Sequence, residues 1–175
     1  IRRQRQMCIR DRVAIPQSNQ ALWTGAYNWA DHETTKTQMD EHYKRITTQY
    51  SLDTSRLIWG GFSMGAEMAL TLVLNHDFPA RGFVLLGPGG PKMDDLSAWQ
   101  PFIDKAAGRD LRGVIWMGED DLTIPQGNIR QLVERLNAAG ITTRLETFSG
   151  LAHEYPNNFE QVAASALDFI LEEPL

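Results

Sequence analysis

The chain has 175 residues, of which 42% are hydrophobic and 22% are charged, a composition typical of one folded domain. The formal net charge of -5 and the pI near 5.3 give no basic surface that would bind nucleic acid. No apolar run approaches the ~20 residues that cross a bilayer, and we expect a cytoplasmic protein without a membrane span. The single cysteine, Cys8, excludes an internal disulfide and a thiolate zinc site.

The first twelve residues form an unusual segment that contains five arginines and has no amphipathic period. The segment resembles translated sequencing-adapter read-through, in which the string QMCIRDR recurs. We therefore interpret residues 1–12 as a non-native tail and residues 13–175 as one domain. A basic arm that binds nucleic acid is the alternative. Cys8 lies in this tail, and we assign it no role.

From residue 13 onward, apolar runs alternate with helical patterns. The run at residues 13–16 predicts a strand that ends at a proline, and a polar and aromatic loop follows through Trp29. Further strands are predicted over residues 56–62, 82–86, 113–117 and 142–148. Helices are predicted over residues 33–50, 63–74, 126–139 and 158–171, with a weaker one within 99–107. This alternation predicts an α/β fold whose mainly parallel sheet carries helices on both faces.

One motif with chemical meaning lies between a predicted strand and a predicted helix. Gly61-Phe62-Ser63-Met64-Gly65 has the G-x-S-x-G pattern of the nucleophile elbow of α/β-hydrolases. Small residues on either side of the serine let the strand and helix approach, and the helix N-terminus favours negative charge. Ser63 is therefore the candidate nucleophile.

A serine hydroxyl needs a base to take its proton, and that base is usually a histidine oriented by a carboxylate. α/β-Hydrolases carry these groups in the chain order Ser, Asp, His. This order leaves His153 as the candidate base and excludes the other histidines, which are His32, His42 and His76.

The candidate acid lies in a run of three carboxylates, Glu119-Asp120-Asp121, that follows a predicted strand. We choose Asp121, because Asp121-Leu-Thr-Ile-Pro125 matches the D-x-x-[VI]-P run found in many of these enzymes. Asp120 is the alternative acid. Glu119 and Asp120 otherwise have the simple explanation of solvated loop charges.

The motifs around Ser63, Asp121 and His153 together resemble the phospholipase/carboxylesterase branch of the α/β-hydrolases, and acyl-protein thioesterases share the pattern. The resemblance covers nearly everything after residue 13. It implies that the backbone N–H of Met64 is one donor of the oxyanion hole. Relatives usually carry Gln at the position of Met64, and this difference bears on substrate shape more than on mechanism.

The family takes its second oxyanion donor from a His-Gly-type loop after its third strand, and no such segment precedes residue 13. We therefore expect a chain that lacks the N-terminal strands of the fold. Loss of one oxyanion donor costs about a hundredfold to a thousandfold in rate. The isolated chain is expected to be weak or inactive, whereas the full-length enzyme is expected to be active.

The resemblance implies a serine hydrolase that cleaves small or medium carboxylic esters or thioesters through an acyl-serine intermediate, without metal or organic cofactor. A peptidase or C–C hydrolase with the same triad is one alternative. A non-catalytic binding protein of the same fold is another. Trp23, Trp29 and Trp99 are candidates for lining the substrate pocket, with aromatic packing beneath a loop as the alternative for each.

Overall fold

The computed structural model describes residues 12–172. The predicted tail and Cys8 lie outside these residues, except for Arg12, whose guanidinium lies 5.2 Å from the centre of the Tyr50 ring. The strands are β1 (Gln20–Trp23), β2 (Ala26–Asn28), β3 (Ile58–Phe62), β4 (Gly82–Leu86), β5 (Arg112–Gly118) and β6 (Thr142–Phe148). The helices are α1 (His32–Gln49), α2 (Met64–Asn75), α3 (Pro91–Asp94), α4 (Gln100–Ala106), α5 (Gln126–Ala138) and α6 (Phe159–Leu171).

Four strands form one parallel sheet in the order β3-β4-β5-β6. The register aligns Phe62 with Leu86, and Leu86 with Trp116, so the carboxyl ends of β3 and β4 lie side by side next to β5. The predicted α/β class and the parallel sheet are confirmed. In such sheets the reactive groups gather at the carboxyl ends of the strands, and the loops that follow β3 to β6 therefore define the region of interest.

Helices cover both faces of the sheet. Successive side chains of each strand point to opposite faces, so each strand contributes to both cores. Phe83 and Leu85 of β4 point into a large core that also contains side chains of α2, α4 and α5. Leu86 of β4 and Trp116 of β5 point to the other face, where they pack with residues of α6. The near-continuous apolar runs of β4 and β5 follow directly from this two-sided burial.

Helix α1 lies outside the main layers and packs on α2 through Met39, Met68, Leu72 and Phe78. Its N-terminus is capped by Asp31, whose carboxylate accepts the N–H of Thr34 at 2.8 Å. No helix within residues 12–172 combines the length and the apolar character needed to cross a membrane.

Two sequence predictions near the start of the domain are wrong. Residues 13–16 form no strand, and Val13 and Ile15 are 88% and 90% exposed. Strand propensity depends on a partner that completes the hydrogen-bond ladder, and these residues pair with none in the described part of the chain. The predicted loop through Trp29 contains instead the antiparallel hairpin β1-β2, whose turn includes Gly25 at φ 81°.

Candidate active site

Ser63 lies at the sharp turn between β3 and α2. Its backbone has φ 54° and ψ −124°, a conformation that is sterically unfavourable for any residue other than glycine. The N–H of Ser63 donates to the carbonyl of Leu86 at 3.0 Å, which ties the turn to the end of β4. A Cβ at Gly61 would lie 2.7 Å from the N atom of Ala66, so the close approach of strand and helix requires glycine there.

Met64 is the first residue of α2. The N–H groups of a first helical turn have no acceptor within the helix, and the helix dipole places partial positive charge at this end. The backbone N–H of Met64 therefore has the character of a donor for an anion that forms beside Ser63.

Asp121 and His153 come together although they are 32 residues apart in sequence. The distance between His153 Nδ1 and Asp121 Oδ2 is 2.7 Å, and the Asp121 side chain is only 1% exposed. Because a carboxylate has only acceptors, the imidazole carries its proton on Nδ1 and leaves the Nε2 lone pair available as a base. Asp121 Oδ1 accepts the N–H groups of Thr123 at 2.8 Å and Ile124 at 3.2 Å.

The other carboxylates of the same loop do not contact His153. Asp120 is exposed, and its backbone N–H donates to the carbonyl of Leu151 at 2.9 Å. Glu119 Oε1 accepts the hydroxyl of Thr147 at 3.0 Å on the edge strand β6. Of the two predicted acids, the structure therefore places Asp121 against the imidazole.

Residues at the carboxyl ends of β3 and β4 lie against the imidazole of His153. The ring of Phe62, which precedes Ser63, is tilted against it with centroids 4.6 Å apart. A Cβ at Gly87 would lie 3.1 Å from two ring atoms of His153 and 3.4 Å from Asp121 Oδ2. Sequence reasoning missed both residues, since neither belongs to a side-chain type that performs acyl-transfer chemistry.

The three candidate pocket tryptophans occupy different environments. Trp29 is half-buried. It lies near the elbow, since a Cβ at Gly65 would be 3.4 Å from the Cδ1 atom of Trp29. Trp23 is 66% exposed in the hairpin. Trp99 is fully buried in the main core, where its ring packs against Phe102, which corresponds to the alternative of aromatic packing.

A surface cavity of about 370 Å³ lies beside α1, and its lining residues include Asn19, Glu33 and Gln38. It contains none of the candidate catalytic residues. Within residues 12–172, no group of three or more His, Cys, Asp and Glu side chains could hold a metal ion.

One further buried residue near the elbow was not predicted from the sequence. Glu67 lies in α2, one turn after Ser63, and is only 6% exposed. Its signal was available, since it is the one charged residue over residues 64–74, where Thr71 is the only other residue with a polar side chain. Burial raises the pKa of Glu67 above its usual value, while the Lys92 ammonium and backbone N–H groups act in the opposite direction.

Solved structures with the same architecture include several that are longer than this chain. An uncharacterized protein from Bacillus cereus ATCC 10987 is 26% identical with a TM-score of 0.79, over 90% of this chain and 49% of that one. The Bacillus cereus carboxylesterase is 18% identical with a TM-score of 0.60, over 86% and 66%. Arabidopsis thaliana SOBER1 is 16% identical with a TM-score of 0.59, over 82% and 67%.

The chain thus spans about half the length of the first of these proteins and about two thirds of the other two. A comparison with curated proteins gives no significant match. The sequence model of the phospholipase/carboxylesterase family matches residues 26–171, which include the elbow serine and the paired Asp121 and His153. The chain therefore belongs to the phospholipase/carboxylesterase family and has the α/β-hydrolase fold.

Proposed function

We propose that this protein is a serine hydrolase that cleaves carboxylic esters or thioesters through an acyl-serine intermediate. The observation that carries the proposal is the 2.7 Å hydrogen bond between Asp121 and His153, beside a serine at positive φ. This combination supplies an oriented base, and the sharp turn exposes the nucleophile. Membership of the phospholipase/carboxylesterase family supports acyl-ester chemistry.

In the acylation half of the reaction, Ser63 Oγ attacks the carbonyl carbon of the substrate while His153 Nε2 takes the hydroxyl proton. Asp121 stabilises the imidazolium that forms, through its hydrogen bond to Nδ1. The carbonyl oxygen becomes an oxyanion that accepts the N–H of Met64. Collapse of this intermediate breaks the ester or thioester bond, and His153 returns the proton to the leaving alkoxide or thiolate.

Deacylation repeats the same steps with water as the nucleophile. His153 takes a proton from water, hydroxide adds to the acyl carbon, and the tetrahedral intermediate releases the acid as Ser63 regains its proton. The Met64 N–H is one donor for the oxyanion. We propose that the second donor is supplied by a segment outside this sequence, as the family resemblance implies, and that the isolated chain is correspondingly weak.

The test is covalent labelling of the protein, expressed from its complete coding sequence, with a fluorophosphonate probe. The probe phosphonylates an activated serine, so intact-mass spectrometry is expected to show one adduct per chain. Ser63→Ala is expected to abolish labelling. Ser51→Ala is the matched control, because this serine is exposed in a loop after α1, and its labelling is expected to equal that of the unmodified protein.

The outcomes distinguish a serine hydrolase with Ser63 as its nucleophile from the alternatives. A folded protein that takes no label would overturn the proposal and favour a non-catalytic binding protein. Labelling that persists in Ser63→Ala would place the nucleophile elsewhere. Hydrolysis of an alkyl ester or of an acyl thioester, abolished by Ser63→Ala and not accompanied by cleavage of peptide amide or C–C bonds, would distinguish ester and thioester cleavage from peptidase or C–C hydrolase chemistry.

A further inference from the structure

Glu67 places a carboxylate in the apolar interior next to the elbow. Its side chain is 8% exposed, and the residues before and after it in α2, Ala66 and Met68, are buried as well. Burying a charged group is unfavourable unless hydrogen bonds and an opposite charge compensate for the lost water. The partners of this carboxylate therefore indicate what it holds in place.

Those partners all belong to the β4–α3 loop, by which we mean residues 87–93, including the first three residues of α3. Glu67 Oε2 accepts the backbone N–H of Lys92 at 3.0 Å and that of Met93 at 3.2 Å. The Lys92 ammonium lies 3.7 Å from Oε1. Gly90 has φ 148°, which favours glycine, and a Cβ there would lie 2.6 Å from Oε2, so the loop closes directly onto the carboxylate. The carboxylate thus anchors residues 90–93.

The same loop contacts each candidate catalytic residue. The N–H of Gly89 donates to the carbonyl of Ser63 at 3.2 Å. Gly87 lies against the ring of His153 and against Asp121 Oδ2, where a Cβ would be in tight contact with the ring. A displacement of residues 87–93 would therefore reach the nucleophile turn and the imidazole–carboxylate pair together.

We infer that Glu67 is a positioning residue for the proposed triad, acting through the loop over residues 87–93 that it anchors. This inference rests on the proposed function. Glu67 takes no part in the proposed chemical steps, and it sets where the loop presses on His153 and Asp121. Misplacement of catalytic groups by about 1 Å can cost a hundredfold in rate, which makes an anchor of this kind consequential.

Three substitutions of Glu67 separate the effects of its charge, its length and its hydrogen-bond acceptor. Glu67→Gln keeps an oxygen that accepts the two N–H groups but loses the charge. Glu67→Asp keeps the charge but is one methylene shorter, so it reaches the loop poorly. Glu67→Leu keeps the volume and removes the carboxylate acceptor of the Lys92 N–H, while the Met93 N–H still donates to the carbonyl of Gly90 at 2.9 Å. Thr71→Val is the matched control, because Thr71 lies one turn later in α2, is equally buried, and its hydroxyl donates within the helix to the Glu67 carbonyl.

The first readout is the low-field proton resonance of His153 Nδ1–H in histidine-labelled protein, which reports on the hydrogen bond to Asp121 without requiring turnover. We expect it to shift or broaden in Glu67→Leu and Glu67→Asp, and to remain unchanged in Glu67→Gln and Thr71→Val. The second readout is steady-state hydrolysis. We expect kcat to fall about tenfold to a hundredfold in Glu67→Leu with KM nearly unchanged, and Glu67→Gln to restore most of it.

Circular dichroism establishes that each variant is folded before the readouts are compared. If Glu67→Leu does not fold, the Asp and Gln variants still decide the question. Unchanged resonance and unchanged kcat in folded Glu67→Leu or Glu67→Asp would overturn the inference, as would an equal change in Thr71→Val. A resonance that responds in a protein without hydrolytic activity would contradict the proposed function and leave the positioning role standing.

Discussion

The two carboxylate oxygens of Asp121 have different partners. Oδ1 accepts two backbone N–H groups of its own loop, from Thr123 and Ile124, and Oδ2 accepts the Nδ1 proton of His153. The loop therefore holds the side chain in one orientation before the imidazole binds to it. Such a carboxylate can orient the histidine without moving during the reaction.

Substitution of this acid separates it from its neighbour in sequence. Asp121→Asn presents an N–H₂ group or a neutral oxygen to Nδ1, which disturbs the tautomer that leaves Nε2 free. We expect kcat to fall about a thousandfold to ten-thousandfold, with the fold retained. The rate of fluorophosphonate labelling measures the same loss independently of turnover.

Asp120→Asn is the matched control, since Asp120 is the adjacent, exposed carboxylate of the same loop. Its kcat is expected to remain within about twofold of the unmodified protein, as for most exposed substitutions. Equal losses in both variants would contradict the assignment of Asp121 as the orienting acid.

At the residue scale, the sequence was informative where chemistry requires a particular side chain. The motif at Ser63, the order Ser, Asp, His, and the loop run at Asp121 are local signals. Phe62 and Gly87 gave no such signal, and the one charged residue in its stretch, Glu67, gave no indication of its partners, because these contacts join segments that are distant in sequence. Only the folded arrangement identifies them.

At the scale of elements, one buried carboxylate joins the start of α1 to the end of α2. Asp77 follows α2, and its side chain is 3% exposed. It lies 2.8 Å from His32 Nε2 and 3.2 Å from Lys36 Nζ, both on the first turns of α1, and the Asn75 amide donates to it at 2.9 Å. Burial acts to raise the pKa of Asp77, but these hydrogen bonds outweigh it and hold the pKa below its usual value.

The lowered pKa makes this contribution to stability depend on pH in a defined direction. A carboxyl with a depressed folded pKa stabilises the native state above its unfolded pKa of about 3.9, and the stabilisation is lost as pH falls through the folded value. We expect Asp77→Asn to lower the free energy of unfolding by about 1–3 kcal/mol at pH 7. The difference from the unmodified protein is expected to shrink below about pH 4.

Urea denaturation over a pH series measures this difference. Asp168→Asn, an exposed carboxylate on α6, is the control and is expected to show no comparable difference at any pH. A destabilisation by Asp77→Asn that stays constant down to acidic pH would show that packing, and not the charge, is responsible.

The main helices and parallel strands were predictable because each carries a period or an apolar run long enough to be read locally. Strand β4 matches its predicted range, and α1, α2, α5 and α6 match theirs within about two residues. The strand predicted at residues 13–16 failed because an apolar run becomes a strand only beside a partner. The hairpin β1-β2 was missed, although Thr24-Gly25 between two short apolar segments is a recognisable turn signal.

At the scale of the whole molecule, β4 and β5 are paired on both sides, whereas β3 and β6 form the edges of the sheet. Among residues 12–172, no strand pairs with the outer edge of β3, the strand that leads to Ser63. Such an edge presents free N–H and C=O groups to other chains. Val13 and Ile15 add exposed apolar surface at the start of the described chain.

We therefore expect the 175-residue chain to self-associate as its concentration rises. Sedimentation velocity over a series of concentrations measures this association. The double variant Val13→Lys, Ile15→Lys tests which surface is responsible, and association through the strand edge is expected to persist in it. A chain that stays monomeric at all concentrations, or an association that the double variant abolishes, would contradict pairing at β3.

At position 63, the backbone conformation favours glycine, whereas the proposed chemistry requires the hydroxyl of serine. At φ 54° and ψ −124°, glycine fits without steric cost, whereas a serine side chain costs about 1–3 kcal/mol. Neutral drift under selection for folding alone would therefore replace this serine with glycine. If Ser63 is the nucleophile that we propose, natural variants that keep the hydrolytic activity are expected to keep this serine in spite of the less stable turn.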